Sequence, residues 1–176
     1  METMLNAPAE AQKRLFDPAE MLRSLVDYYK AIDLKARFDE HFDLLPKMRG
    51  DPKLLRRAFS NLISNALKYS PEGGVAEISG KTGDGTVEIS VADHGIGVPA
   101  AELGRVQERF FRGSNTGSIP GTGIGLSLVQ QIVEQHGGRT TIESELDRGT
   151  RVTVSLPVET GKAETTGRPL EQDLVH

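Results

Sequence analysis

Three short segments hold side chains whose types and spacing could do chemistry. The first is "FSNLISNALKYS", residues 59–70, where Asn61 and Asn65 stand four apart in an otherwise apolar stretch. At roughly 100° per residue, Asn61, Asn65 and Lys68 fall within about 60° of one another on a helix. The apolar stripe of Leu55, Phe59, Leu62, Ile63 and Ala66 is centred about 130° from Asn61 by the same count. Two readings stay open from these residues alone. One is a solvated helix face. The other is a ligand face, since asparagine is a mediocre helix former and its amide oxygen is a neutral hard ligand. Such an oxygen suits Mg²⁺, which keeps several waters and bridges phosphates, and Lys68 would add charge beside a phosphate.

The second segment is "VADHGIGVPA", in which Asp93 ends an alternating strand and is followed by Gly95 and Gly97. A dinucleotide fingerprint would need a full helix next and then a parallel strand bearing an acidic residue. Pro99 and a long loop follow instead, so that reading is set aside. Asp93 either caps a tight turn or accepts a hydrogen bond from an exocyclic amine where backbone passes a flat ligand. The third segment, "GTGIGLSL", places Gly121, Gly123 and Gly125 at a helix start. Free N–H groups and the helix dipole make such a start an anion site. No Gly-Lys-Ser/Thr follows, so it is not a Walker loop. "ERFFRGS" lies in the loop between them. Phe110 and Phe111 either anchor that loop or hinge a lid that closes over a nucleotide, with Arg112 near the phosphates.

The elements that must position these segments can be read from pattern. Asp17 and Pro18 open a helix that keeps its period through Met21, Leu22, Leu25, Val26 and Tyr29. "KARFDEHFDLLPKMRG" reads as one or two short strands. Asp51 and Pro52 open the asparagine helix, and "PEGG" at 71–74 ends it. "VAEISGKTGDGTVEISVAD" is a hairpin, because "GDG" sits between two alternating runs. Residues 104–121 form a long loop rich in Gly, Ser and Thr, of a length usually kept for function. A third helix ends near Gly137, and "RTTIESELDRGTRVTVSLP" supplies two more strands. The opening "METMLNAPAEAQKRLF" has the look of a cut helix. The order predicts one mixed sheet with about three helices on a single face, a two-layer α/β sandwich.

The bulk composition agrees with one ordinary domain. The chain has 176 residues, 37% hydrophobic and 26% charged, with 21 basic and 25 acidic residues and a net charge of -4. That mixed charge gives no nucleic-acid surface and no polybasic membrane patch. The absence of cysteine excludes disulfides and thiolate metal sites. No run approaches the roughly 18 apolar residues of a membrane span, and no signal peptide stands at the start. A soluble, cytoplasmic chain is expected, one that could be a piece of a larger, membrane-anchored protein.

Taken together and in order, these segments resemble the ATP-binding catalytic domain of bacterial sensor histidine kinases, within the wider family of type II topoisomerases, heat-shock chaperones and mismatch-repair ATPases. "NLISNALKYS" looks like the N box, "DHGIGVP" the G1 box, "ERFFRG" the F box, "GTGIGLSLV" the G2 box and "RGTRVTVSLP" the terminal strand with its Gly149-Thr150 element. The resemblance covers roughly Phe16 to Pro157 and implies the Bergerat type of α/β sandwich. By resemblance, Asn65 holds the Mg²⁺ that bridges the phosphates of ATP, and Asp93 reads the adenine amino group. Lys68 and Tyr69 contact phosphate, purine or ribose, and Gly95 and Gly97 let the backbone pass the adenine. Phe111 and Arg112 belong to the lid. Gly121, Thr122, Gly123, Ile124, Gly125 and Leu126 form the phosphate-contacting lid end and helix start, and Thr150 completes the cofactor site. Asn61 and Lys68 are the candidate catalytic residues. In the hydrolysing relatives the position of Asn61 holds a Glu that activates water. An amide cannot take a proton from water at neutral pH, so the γ-phosphate would be kept for another acceptor. That favours a kinase over the alternatives, a regulatory nucleotide-binding module or an ATPase.

The resemblance also implies a partner. Histidine kinases phosphorylate a histidine on a separate two-helix dimerisation domain, from which a response regulator is served. His41, His94, His136 and His176 all make poor acceptors. His41 and His94 lie inside the nucleotide domain, His176 is in the tail, and His136 sits at a helix C-terminus where a charged imidazole suits the dipole. Residues 1–15 are therefore expected to be a remnant or linker from the dimerisation helices, 16–157 the catalytic domain and 158–176 a disordered tail. A monomer is expected, with no nucleic-acid partner and no direct membrane contact.

Overall fold

The computed structural model describes residues 12–42, 44–70, 74–105 and 125–158. The chain runs β1 (Arg14–Phe16), α1 (Pro18–Ile32), β2 (Arg37–His41), β3 (Met48–Gly50), α2 (Pro52–Tyr69), β4 (Val75–Gly83), β5 (Thr86–Ala92), a 3₁₀ turn (Ala100–Arg105), α3 (Gly125–Gln135), β6 (Arg139–Glu145) and β7 (Gly149–Pro157). Five strands form one mixed sheet in the order β2-β4-β5-β7-β6. The β2–β4 pair is parallel and the remaining pairs are antiparallel. This is the predicted two-layer sandwich. No helix among the described residues is long and apolar enough to cross a membrane.

Local sequence explains most of the boundaries. Asp17 and Asp51 cap α1 and α2, each accepting two backbone N–H groups of the first turn, with proline at the first helical position. The β4–β5 hairpin turns on Asp84 (φ 51°) and Gly85 (φ 75°), and positive φ at both central residues is the geometry that fits the strand twist. At the end of α3, Gly137 has φ 73°. The Gly138 N–H then reaches Val133 O and the Gly137 N–H reaches Glu134 O, a Schellman closure.

Strand alternation sorts the sheet into two faces. Ala76, Ile78, Val87, Ile89, Val91, Val152, Val154 and Leu156 are buried on the face that meets the helices. Leu22, Leu25 and Val26 of α1, Leu55, Phe59, Leu62 and Ile63 of α2, and Val129, Ile132 and Val133 of α3 close that core. The five-residue apolar stripe predicted on α2 is buried in full. The Tyr29 hydroxyl sits 2.6 Å from Ser60 Oγ and fastens α1 to α2. The other face is polar: Ser79, Ser90 and Thr153 stand in register across three strands, with Ser90 Oγ 2.8 Å from Thr153 Oγ1.

Two expectations need correction. Arg14–Phe16 is not helix. It pairs antiparallel with β3, Arg14 opposite Gly50 and Phe16 opposite Met48. The residues around it are good helix formers, but tertiary pairing overrides local propensity. The Gln12 N–H also reaches Asp51 Oδ2 at 2.7 Å. Second, His136 is not a charged residue serving a helix dipole. It is 4% exposed. Its Nδ1–H donates to Ile132 O at 2.7 Å, and its Nε2 accepts from the Asp51 N–H at 2.9 Å. That pairing requires the neutral ring, used to tie the end of α3 to the start of α2.

Candidate functional site

The site is built where β5 ends. Alternation along β5 turns Asp93 toward the helix side and His94 toward the open face. The Asp93 N–H continues the sheet by donating to Thr150 O at 2.8 Å. Its carboxylate is then oriented by backbone: Oδ1 accepts from the Gly95 N–H at 2.9 Å and the Thr150 N–H at 3.3 Å. Among the described residues both bonds fall on Oδ1, which leaves Oδ2 as a held, unspent acceptor. Burial pushes this carboxyl above the usual aspartate range, against the opposing pull of those two N–H groups and of His94.

The turn after Asp93 is pressed against two neighbours. A side chain at Gly95 would fall on the carbonyl oxygen of Tyr69, at the end of α2. That same oxygen accepts the Ile96 N–H at 3.3 Å. At Gly97, with φ 68°, a side chain would fall on the Glu145 carbonyl, and the Asp147 N–H closes the contact onto Ile96 O at 2.8 Å. Gly149 has φ 119° and lies against the Asp93 carbonyl. These glycines thus have a reason internal to the chain: they let four backbone segments converge around one carboxylate.

Ser144, which sequence reading missed, locks the convergence. Its Oγ accepts from the Val98 N–H at 2.8 Å, donates to Gly149 O at 3.0 Å and sits 2.8 Å from Thr150 Oγ1. One donated proton and two accepted ones fill a hydroxyl completely. A serine near the end of an alternating strand carries no local sign of such a task.

The amide face of α2 reaches the same place through Tyr69. Asn61, Asn65, Lys68 and Tyr69 are all half-buried, between the solvated face and the core. Ser70 Oγ, at the C-cap, is buried with no hydrogen-bond partner among the described residues. An oriented spare acceptor, a buried unspent hydroxyl and a pair of neutral amides beside a lysine suit a polar ligand with an exocyclic amine at one end and phosphates at the other. Asn65 offers the hard oxygen that an accompanying Mg²⁺ would take.

The structure thus draws Asp93, Gly95, Gly97, Thr150 and the end of α2 into one cluster. Gly125 opens α3, and Leu126 packs partly against the core. Phe111, Arg112, Gly121, Thr122, Gly123 and Ile124 lie outside the described residues. The short 3₁₀ turn after Pro99 is not the full helix a dinucleotide fingerprint needs.

Comparison with known proteins agrees with this geometry. Residues 50–160 match the family described as histidine kinase-, DNA gyrase B- and HSP90-like ATPase. The sensor-like histidine kinase SenX3 of Mycobacterium tuberculosis is 38% identical over 127 residues, 71% of this chain and 30% of that protein. The chain therefore spans about a third of the length of such curated relatives. The structure of mycobacterial sensor histidine kinase MprB superposes with a TM-score of 0.74 at 30% identity, over 82% of this chain and 98% of that one. Full-length ShkA, solved in complex with AMPPNP, gives a TM-score of 0.73 at 25% identity, over 85% of this chain and 32% of that one. The chain belongs to the histidine kinase-, DNA gyrase B- and HSP90-like ATPase family, in the branch that supplies the ATP-binding catalytic domains of sensor histidine kinases.

Proposed function

We propose that this domain binds Mg·ATP at the Asp93 cluster and presents the γ-phosphate to a histidine on a separate dimerisation domain, from which a response regulator is phosphorylated. The observation that carries it is Asp93 itself: one oxygen pinned by two backbone N–H groups, the other left to accept the adenine amine. The AMPPNP complex of ShkA, a structural relative, supports the nucleotide class.

The roles follow from the residue chemistry. Asp93 Oδ2 accepts from the exocyclic amine. Ser70 Oγ, buried at the end of α2, keeps a hydrogen bond that no described residue takes. Asn65 would hold Mg²⁺ through its amide oxygen, and Lys68 adds a point charge on the phosphate side. Mg²⁺, when bound, would neutralise phosphate charge. Phe111, Arg112, Gly121, Thr122, Gly123 and Ile124 keep the phosphate-side roles that the family resemblance implies, while the Leu126 side chain packs partly against the core. Asn61 orients the acceptor or a water and cannot act as a base. Catalysis is then positioning and electrostatics, since the acceptor imidazole is its own nucleophile.

The test is transfer of label from γ-labelled Mg·ATP to a separately expressed two-helix histidine domain. Acid-labile, base-stable label on that domain is the expected result. Rapid multiple-turnover release of free phosphate, with no labelled protein, would overturn the kinase reading in favour of an ATPase.

A further inference from the structure

The open face of the sheet carries a second cluster that the nucleotide site does not use. Strands β2 and β4 run parallel, with Asp39 opposite Glu77 and His41 opposite Ser79. Two residues apart on one strand, Asp39 and His41 share a face. The nearest donor atoms of Asp39, His41 and Glu77 all lie within 4.8 Å of one another. His94, turned to this face because Asp93 is turned to the other, brings its Nε2 to 3.3 Å from Glu77 Oε2. His41 Nε2 lies 3.0 Å from Asp39 Oδ2.

We propose that Asp39, His41, Glu77 and His94 form a Zn²⁺ site on this face. Two imidazoles and two carboxylates are a borderline N/O donor set that suits zinc. The spacing fits as well. With Zn–N and Zn–O bonds of about 2.0–2.1 Å in a tetrahedron, neighbouring ligand atoms stand about 3.3 Å apart. The two His–carboxylate separations, 3.0 and 3.3 Å, bracket that value. The donor atoms of Asp39, His41 and Glu77 lie within 4.8 Å of one another, His94 joins them through Glu77, and rotation of the exposed side chains draws the four together. Asp39 is 50% exposed, His41 58% and His94 65%, while Glu77, at 28%, is the anchored member. In each pair a carboxylate oxygen faces a ring nitrogen, two donor atoms that one metal ion can take together. The competitor is Arg151, whose Nη2 lies 3.9 Å from Glu77 Oε2. It shares Oε2 with His94, so a metal between His94 and that oxygen displaces the longer Arg151 contact. Filled, the site ties edge strand β2 to the segment that carries Asp93.

The experiment is a Zn²⁺ titration of the full chain in a His176→Gln background, so that the tail imidazole cannot contribute. It is followed by imidazole NMR and by competition with a chromophoric chelator. Expected are one Zn²⁺ per chain at low-micromolar affinity and resonances of His41 and His94 that shift together. His41→Gln and His94→Gln should each weaken binding on the order of ten-fold or more, while the metal-free melting temperature stays at the parent value because both rings are exposed. Millimolar Mg²⁺ should not compete, being a hard cation that prefers oxygen. A shift of one imidazole only, full affinity in either variant, or no saturable binding below millimolar Zn²⁺ would overturn the site.

Discussion

Asp51 and Asp93 are the same residue type, one buried and one half-buried, both held by backbone N–H groups, yet their pKa values move in opposite directions. Asp51 spends both oxygens: Oδ2 accepts from the Gln12 N–H at 2.7 Å, and Oδ1 from the Lys53 and Leu54 N–H groups at 3.0 and 3.2 Å. Burial would raise its pKa, but these three backbone bonds outweigh burial and hold it below the usual range. Asp93 receives two bonds on one oxygen, burial wins, and its carboxyl sits above the usual range. The difference separates a structural carboxylate from a recognising one. The saturated group has nothing left for a ligand, whereas the unsaturated one is kept at a cost in stability that a ligand can repay.

The comparison can be broken from the Asp51 side first. Asp51→Ala removes a cap and three charge-assisted bonds at a 6% exposed position, and should cost about 3 kcal/mol in urea denaturation. A loss below about 1 kcal/mol would mean the cap is not under load. His136→Phe keeps the volume but orphans the Asp51 N–H. It should cost about 2 kcal/mol, with nucleotide affinity of the folded fraction unchanged. Ser144→Ala acts on the other node and removes a hydroxyl with three partners. A loss of about 1 kcal/mol in stability and a several-fold loss of ATP affinity are expected, because the Gly149-Thr150 backbone that orients Asp93 would loosen. Unchanged affinity would show that Ser144 serves the turn alone.

The smallest effect is in the pH dependence, and it has opposite signs at the two nodes. The Asp51 pKa is lowered on folding. Its stabilisation is therefore present above the unfolded value of about 3.9 and is lost as pH falls through the folded value. The Asp93 pKa is raised, so the native state binds the proton more tightly, and stability falls as pH rises from the unfolded value through the folded one. Relative to the parent chain, Asp51→Asn should flatten the acid limb of a stability–pH profile and Asp93→Asn should steepen it. Equal slopes in the two variants would remove the distinction.

Much of this was legible in the residues. The Asp-Pro starts of α1 and α2, the Asp-Gly hairpin turn and the apolar stripe of α2 are local chemistry, and each stands where its pattern places it. Asp93 was visible as a polar stop at the end of an alternating strand. What could not be read depends on separation in sequence. The β1–β3 pairing runs against local helix propensity. β2 and β3, adjacent in sequence, join different sheets. The His136–Asp51 bond spans 85 positions, and Ser144 is defined only by what converges on it. The glycines were visible, but not that Gly95, Gly97 and Gly149 also make room for other backbone of this chain.

The most direct test of the central claim, that the spare oxygen of Asp93 accepts the adenine amine, is calorimetric binding of ATP and inosine triphosphate to the parent chain and to Asp93→Asn. The parent should prefer ATP by about ten-fold or more, the worth of a charge-assisted hydrogen bond. Asp93→Asn, which places an amide N–H₂ where the carboxylate oxygen stood, should lose that preference while folding normally. Equal affinity of the parent for the two nucleotides, or a preference that survives in Asp93→Asn, would contradict the account.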